Sequence, residues 1–154
     1  MLGRIKLSWE SLQFKLTGNT YSDEATKYWN IHTVGGNLKS KEQLMKYLDN
    51  RSQHYPHYED MMGLLEDYNR KIILDYGCGP GYDIVRFATH SDPFKIYGAD
   101  ISKKALGYAE EHIKLVSKDN ICKFLDLNNN ELADLGENTI DHIHCGGVLH
   151  HTPD

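Results

Sequence analysis

Long apolar runs are missing from this chain. No stretch approaches the roughly 18 to 20 apolar residues of a membrane span, and residues 1–16 are polar and amphipathic where an export signal carries an apolar block. A soluble, unexported chain in the cytoplasm, with no membrane partner, is the expectation. An excess of positive charge is missing too: 17 Lys and Arg against 22 Asp and Glu give −5, with no basic stripe, so nucleic acid is not an expected partner. Cysteine is scarce. Cys78, Cys122 and Cys145 are an odd number without CxxC spacing, and two of them lie in apolar runs, which excludes a disulfide framework and points to a reducing compartment. What is present is one domain's worth of chain, 154 residues, 40% hydrophobic, with 2 Trp, 10 Tyr and 4 Phe to fill a core, so intrinsic disorder is excluded as the main state.

Two grammars divide the chain near Arg70. In residues 1–70 apolar residues recur at helical spacing (Leu44, Leu48; Met61, Leu64, Leu65, Tyr68) and β-branched residues are sparse, which predicts several helices forming a cap or lid. Thr20 or Ser22 is expected to cap one that runs through Tyr28 and Trp29. Ser40 with Glu42 and Gln43 opens another, and Pro56 starts one ending near Arg70. Gly35-Gly36-Asn37 reads as a loop, and a hinge. In residues 71–154 short apolar runs alternate with helical patterns: strands at 71–75, 95–100, 121–127 and 139–145, and helices at 83–90, 102–117 and 128–135. That alternation predicts an α/β fold with a Rossmann-like parallel sheet behind an N-terminal helical segment, with ligands at the carboxyl ends of the strands.

The most informative segment is Ile73-Leu74-Asp75-Tyr76-Gly77-Cys78-Gly79-Pro80-Gly81-Tyr82-Asp83. Glycines at alternate positions after a strand let a ligand touch backbone. A dinucleotide fingerprint, counted from Gly77, requires Gly or Ala where Tyr82 stands, so the nicotinamide or flavin reading fails. The spacing D-x-G-x-G-x-G resembles motif I of the class I S-adenosylmethionine-dependent methyltransferases. Downstream, Tyr97-Gly98-Ala99-Asp100-Ile101-Ser102 resembles their acidic second strand end, and Phe124-Leu125-Asp126-Leu127 their third. Residues 139–154 resemble the fourth motif of the branch containing ubiquinone and menaquinone biosynthesis methyltransferases.

The resemblance implies S-adenosyl-L-methionine as cofactor and a small-molecule methyl acceptor. It places cofactor contacts on Asp75, Tyr76, Gly77, Cys78 and Gly79, ribose hydroxyls on Asp100 beside Ile101, adenine on Asp126 and Leu127, and the methionine end on Cys145 and Gly146. On a purely structural reading Asp100 and Asp126 are helix caps or turn residues. Transfer from a sulfonium mainly needs alignment and exclusion of water. Where the acceptor needs a base, His150, ahead of His151, is the implied catalytic residue.

No metal site is expected: His142 and His144 share a strand face but belong under a covering helix, and no Cys or carboxylate completes a ligand spacing. Cys145-Gly146-Gly147-Val148 stands where an Asn-Pro-Pro-Tyr motif holds amide or base amines, which disfavours adenine-N6 and glutamine methylation. Tyr21, Tyr28 and Trp29 fall on the segment that closes over the cofactor in many relatives. His54-Tyr55-Pro56-His57-Tyr58 either lines a pocket or wraps the core. The chain ends soon after the fourth motif, so the resemblance implies an incomplete core, four strands of a seven-stranded plan. A fourth strand left as an edge, with Ile140, Ile143 and Val148, is expected to pair in a homodimer or by strand exchange. Two function classes remain, a methyltransferase or its cofactor-binding part, and a non-catalytic module that binds the cofactor or a partner.

Overall fold

The structure is a computed structural model and describes residues 23–129 and 131–149. Four strands, β1 (Ile72–Tyr76), β2 (Lys95–Asp100), β3 (Cys122–Asp126) and β4 (His142–His144), form one sheet in the order β3-β2-β1-β4. Every pairing is parallel, with Asp75 level with both Gly98 and His144, and Asp100 level with Asp126. The order reverses between β1 and β4, and a parallel sheet opens its crevice at that point, beyond the strands' carboxyl ends.

Among the described residues, the helices before β1 are α1 (Asp23–Ile31), α2 (Lys41–His54) and α3 (Tyr58–Met61). Two more cross over within the sheet, α4 (Tyr82–His90) and α5 (Lys103–Leu115). Ser40 caps α2 as the sequence predicts, its hydroxyl accepting from the Gln43 amide at 3.2 Å, while the Gln43 side chain reaches back to the Lys39 amide at 2.9 Å. Ser102 caps α5 in the same way through the Ala105 amide. Gly81 begins α4 in the left-handed region (φ 75°), and a Cβ there would lie 2.8 Å from Ala109 Cβ, so the missing side chain lets α4 and α5 close together.

Period-two alternation splits the core. Ile73 and Ile96 join Phe87, Val85 and Ile84 of α4 on one face, while Leu74, Ala99, Leu125, Leu132 and Leu135 cluster on the other. α2 packs into this core, since Leu44 and Leu48 belong to the Phe87 cluster, and Leu64 and Tyr68 of the segment between α3 and β1 join them.

Three expectations are corrected. The helix expected from Pro56 to Arg70 is confined to Tyr58–Met61, because Gly63 turns left-handed (φ 66°) and Tyr68 Oη closes onto its carbonyl at 3.0 Å. The helix at 128–135 is two 3-10 turns, 127–129 and 131–134, since Asp126 Oδ1 accepts from the Asn128 amide and Glu131 Oε2 from the Asp126 amide. The fourth strand is His142–His144 rather than 139–145: Asn138 turns left-handed (φ 57°) and Thr139 Oγ1 donates to the Gly136 carbonyl at 2.7 Å, which holds that stretch in a turn. The expected hinge is pinned as well, Tyr82 Oη donating to the Gly36 carbonyl at 2.9 Å and accepting from the Gly36 amide at 3.1 Å. Among the described residues the three cysteines are free thiols and no helix is long and apolar enough to cross a membrane.

Because Leu48 is fully buried in the same cluster as Phe87, Leu48→Ala should cost about 2–5 kcal/mol in urea denaturation, and should shift one transition followed both by helix content and by aromatic signals. Two separated transitions would show the helical segment to be an independent unit.

Candidate functional site

A cleft of about 240 Å³ opens at the carboxyl ends of β1 and β4. Its rim is the glycine loop, whose backbone hydrogens are turned inward. The Gly77 and Cys78 amides both donate to the Ala99 carbonyl, at 2.7 and 3.0 Å, and the Gly81 amide donates to the Cys78 carbonyl at 2.9 Å. The Gly79 amide donates to Asp100 Oδ2 at 2.8 Å. A loop that cradles a diphosphate needs such hydrogens pointing outward. Here they are spent on β2, and Asp83 places a carboxylate in the first turn of α4, where a helix would otherwise favour an anion. Gly77 is required sterically: it is left-handed (φ 77°), and a Cβ there would run into the Val148 side chain.

Of the residues singled out from sequence, Asp75, Tyr76, Gly77, Cys78, Gly79, Asp100, Ile101, Leu127 and Gly146 line this cleft. Asp126 and Cys145 are not part of its lining. Asp126 behaves as a turn residue: its Oδ1 accepts from the Asn128 amide and side chain at 2.9 and 2.8 Å, and its Oδ2 faces Lys103 Nζ at 3.3 Å. Asp100 does both jobs, accepting from the Ser102 amide at 2.7 Å and the Gly79 amide at 2.8 Å while lining the cleft. Burial pushes its carboxyl up despite those bonds. His150, Tyr21 and the caps Thr20 and Ser22 lie outside the described residues. Trp29 lines the cleft, whereas Tyr28 does not and is 53% exposed. α1 is held there by Ser102 Oγ, which donates to Asn30 Oδ1 at 3.1 Å and to the Trp29 carbonyl at 3.3 Å.

The floor holds a polar cluster drawn from α2, α3, α4 and β4. Asp83 Oδ2 accepts from Tyr58 Oη at 2.9 Å and His144 Nε2 at 3.0 Å, and Oδ1 pairs with Arg51 Nη2 at 2.6 Å. The Arg51 guanidinium lies 4.8 Å from the centre of the Tyr58 ring. Burial would raise the Asp83 carboxyl, but the His144 hydrogen bond and the Arg51 charge outweigh it and hold it below the usual range. Burial likewise opposes charge on His144, yet the bond to Asp83 raises its pKa. Tyr58 is held far above the usual phenol range, first by burial and then by Asp83, so it stays a donor. Asp75, 2% exposed, is pushed up to about 7 by burial; His144 opposes the shift, and Asp83 and Asp100 add to it.

The members of this cluster differ in how far the sequence marks them. Tyr58 belongs to the polar aromatic run whose role the sequence left open, and the structure sends it to the cleft while Tyr55 stays 65% exposed. His144 does lie beneath α4, 5.4 Å from Phe87 ring to ring, but its far nitrogen reaches Asp83. Asp83 had a signal, an acid in the first turn after a glycine loop. Arg51 had none.

A family model for the methyltransferase domain matches residues 74–154. No curated protein matches the chain. Among solved structures, magnesium protoporphyrin IX methyltransferase from Synechocystis PCC 6803, with bound S-adenosylmethionine, is 24% identical with a TM-score of 0.51, over 92% of this chain and 61% of its own. The YcgJ protein of Bacillus subtilis is 21% identical with a TM-score of 0.54, over 66% of this chain and 42% of its own. A candidate S-adenosyl-L-methionine-dependent methyltransferase from Methanococcus maripaludis is also 21% identical with a TM-score of 0.54, over 78% of this chain and 56% of its own. At these identities the likeness is one of fold, and the chain spans less than two thirds of each of these structures.

The Asp75 shift has a defined sign. Its folded pKa, about 7, lies above the unfolded value of 3.8, so the native state holds the proton more tightly and this group's contribution to stability falls as pH rises from about 4 through 7. Asp75→Asn abolishes that contribution. Urea denaturation at pH 5 and pH 8 should show the variant gaining stability relative to the parent at the higher pH, and an unchanged difference would contradict the assigned shift.

Proposed function

The chain belongs to the methyltransferase-domain family, and on that premise we propose that it binds S-adenosyl-L-methionine in this cleft and transfers the methyl group to a small-molecule acceptor. The observation that carries the reading is the inward turn of the loop amides together with the ring of acids. Gly77, Cys78 and Gly79 leave no hydrogens for a diphosphate, and Asp75, Asp83 and Asp100 favour a cation and hydroxyl donors over an anion. Bound there, S-adenosyl-L-methionine supplies a methyl group already activated on a positively charged sulfonium.

The remaining work falls to the chain's own residues. Asp100 retains acceptor capacity for ribose hydroxyls while staying anchored to the Gly79 and Ser102 amides. Ile101 and Leu127 give the base an apolar bed, and Asp126, to take its amine, would use Oδ2, since Asn128 holds Oδ1. Asp75 balances positive charge at the methionine end, where the Gly146 backbone flanks it. Trp29 and Val34 exclude water at the mouth. His150 serves as base for an acceptor that must lose a proton, and the named substrate of the Synechocystis enzyme, a porphyrin, fits a small-molecule acceptor class.

Calorimetry tests the reading. S-adenosylhomocysteine should bind at micromolar concentration with NADH inert, and Asp100→Ala should weaken it by about 10- to 100-fold, the worth of charge-assisted hydrogen bonds. No binding at millimolar ligand defeats the cofactor assignment. Once turnover is found, His150→Gln should lower kcat by roughly 100-fold for a hydroxyl acceptor while leaving S-adenosylhomocysteine affinity in place.

A further inference from the structure

Gly146, just past the end of β4, is not glycine for backbone reasons, since its φ is not positive. What its missing side chain leaves is space. A Cβ at 146 would lie 3.3 Å from His144 Nε2, 3.3 Å from Met62 Cε and 3.4 Å from Tyr58 Oη. The niche is therefore walled by a phenol oxygen, an imidazole and a thioether methyl, and Gly146, Tyr58 and His144 all face the cleft.

Hydrogen accounting fixes what this niche offers. The Tyr58 hydroxyl hydrogen is spent on Asp83 Oδ2, and because that carboxylate is ionised, the bond from His144 Nε2 spends the imidazole hydrogen on the same atom. Arg51 pairs through Nη2 with Asp83 Oδ1 and lies against the Tyr58 ring, and it is not among the three atoms nearest a Cβ at 146. Tyr58 Oη thus turns lone pairs, and no hydrogen, toward the niche. Such a pocket is satisfied by a group that donates and penalises one that can only accept, because a buried oxygen facing another oxygen leaves both unpaired.

We infer that the niche between Gly146, Tyr58 and His144 receives the nucleophilic group of the methyl acceptor, and that this group is a neutral hydroxyl or amine donating its hydrogen to Tyr58 Oη. The inference rests on the proposed function for its methyl donor, and it adds the acceptor's chemical class: alcohols, phenols and amines, not carboxylates or phosphates. Tyr58 is then a specificity-determining residue. Asp83 is a positioning residue, which acts by aiming the Tyr58 hydroxyl away from the niche, and Arg51 in turn holds Asp83.

Three aryl probes test it in the ¹⁵N-labelled full chain, with and without S-adenosylhomocysteine. Phenol should shift the Gly146 and His144 amide resonances. Anisole, the same shape without the donor hydrogen, should bind about tenfold more weakly, and benzoate should leave those two amides in place. Tyr58→Phe should reduce phenol to the affinity of anisole, with the dispersion of core amides reporting that the variant is folded. Anisole binding as tightly as phenol, or benzoate shifting Gly146, overturns the inference, and both comparisons stand in the unaltered protein if the variant fails to fold. Failure of S-adenosylhomocysteine to bind is a separate outcome: it counts against the methyl donor, while the phenol comparison in the ligand-free protein still decides the niche.

Discussion

Three carboxylates, Asp75 on β1, Asp83 on α4 and Asp100 on β2, converge on one cleft because the strand ends and the first turn of α4 meet there. Burying carboxylates costs free energy, and the cost is visible in the upward shift of Asp75, to which Asp83 and Asp100 add, and of Asp100. The arrangement persists because two partners arrive from elsewhere, the Arg51 guanidinium from α2 and the His144 imidazole from β4, and Asp83 receives both. Removing one partner from such a buried pair typically costs about 3–5 kcal/mol, while apolar replacement of the whole pair is often neutral or better. Stability alone therefore gives little reason to place a buried carboxylate at position 83. A requirement for charge and hydrogen-bond direction in the cleft does.

The same constraint explains why one half of the site is legible in sequence and the other is not. Strands β1 and β2 are coded locally, as apolar runs closed by an acid and a glycine, and the second is read to the residue as 95–100. The glycine loop and Asp100 follow from that reading, because a strand end fixes where its last side chain goes. Asp126 has the same local pattern and a different fate, since its Oδ1 is taken by the amide and side chain of its neighbour Asn128 and it does not line the cleft. Side-chain competition of this kind has no spacing to detect. Arg51 and Tyr58 meet Asp83 across 32 and 25 residues of chain, through helices whose apolar stripes say only which face is buried. The fourth strand and the stretch 128–135 depart from the apolar pattern for a related reason: Thr139, Asp126 and Glu131 side chains capture backbone groups that the pattern assigns to regular structure.

The helices before β1 are coupled to the glycine loop by more than shared apolar packing. His112, fully buried, donates from Nδ1 to the Pro80 carbonyl at 2.9 Å and accepts the Leu38 amide on Nε2 at the same distance. That pairing requires the neutral ring, and burial lowers its pKa accordingly. Tyr82 stacks between His112 and Tyr47 and grips Gly36 with its hydroxyl. The glycine loop thus has a strap on its outer side, and the residues it fixes, 33–38, bring Thr33 and Val34 to the cleft mouth.

Two sets of contacts consequently meet at α4. Its first residue, Tyr82, holds the strap, and its second, Asp83, holds Arg51, Tyr58 and His144. Consecutive residues on a helix point about 100° apart, so one turn of α4 serves the mouth of the cleft with one side chain and its floor with the next. Gly81, immediately before them, sets the angle at which that turn begins, and no side chain fits there against Ala109. The Gly-Tyr-Asp sequence at 81–83 therefore carries the geometric link between the loop proposed to hold the cofactor and the niche inferred to hold the acceptor. A displacement of the α4 N-terminus moves both places together, and on the proposed function that shared anchor would keep the two ligands in line for a displacement that tolerates little error in alignment.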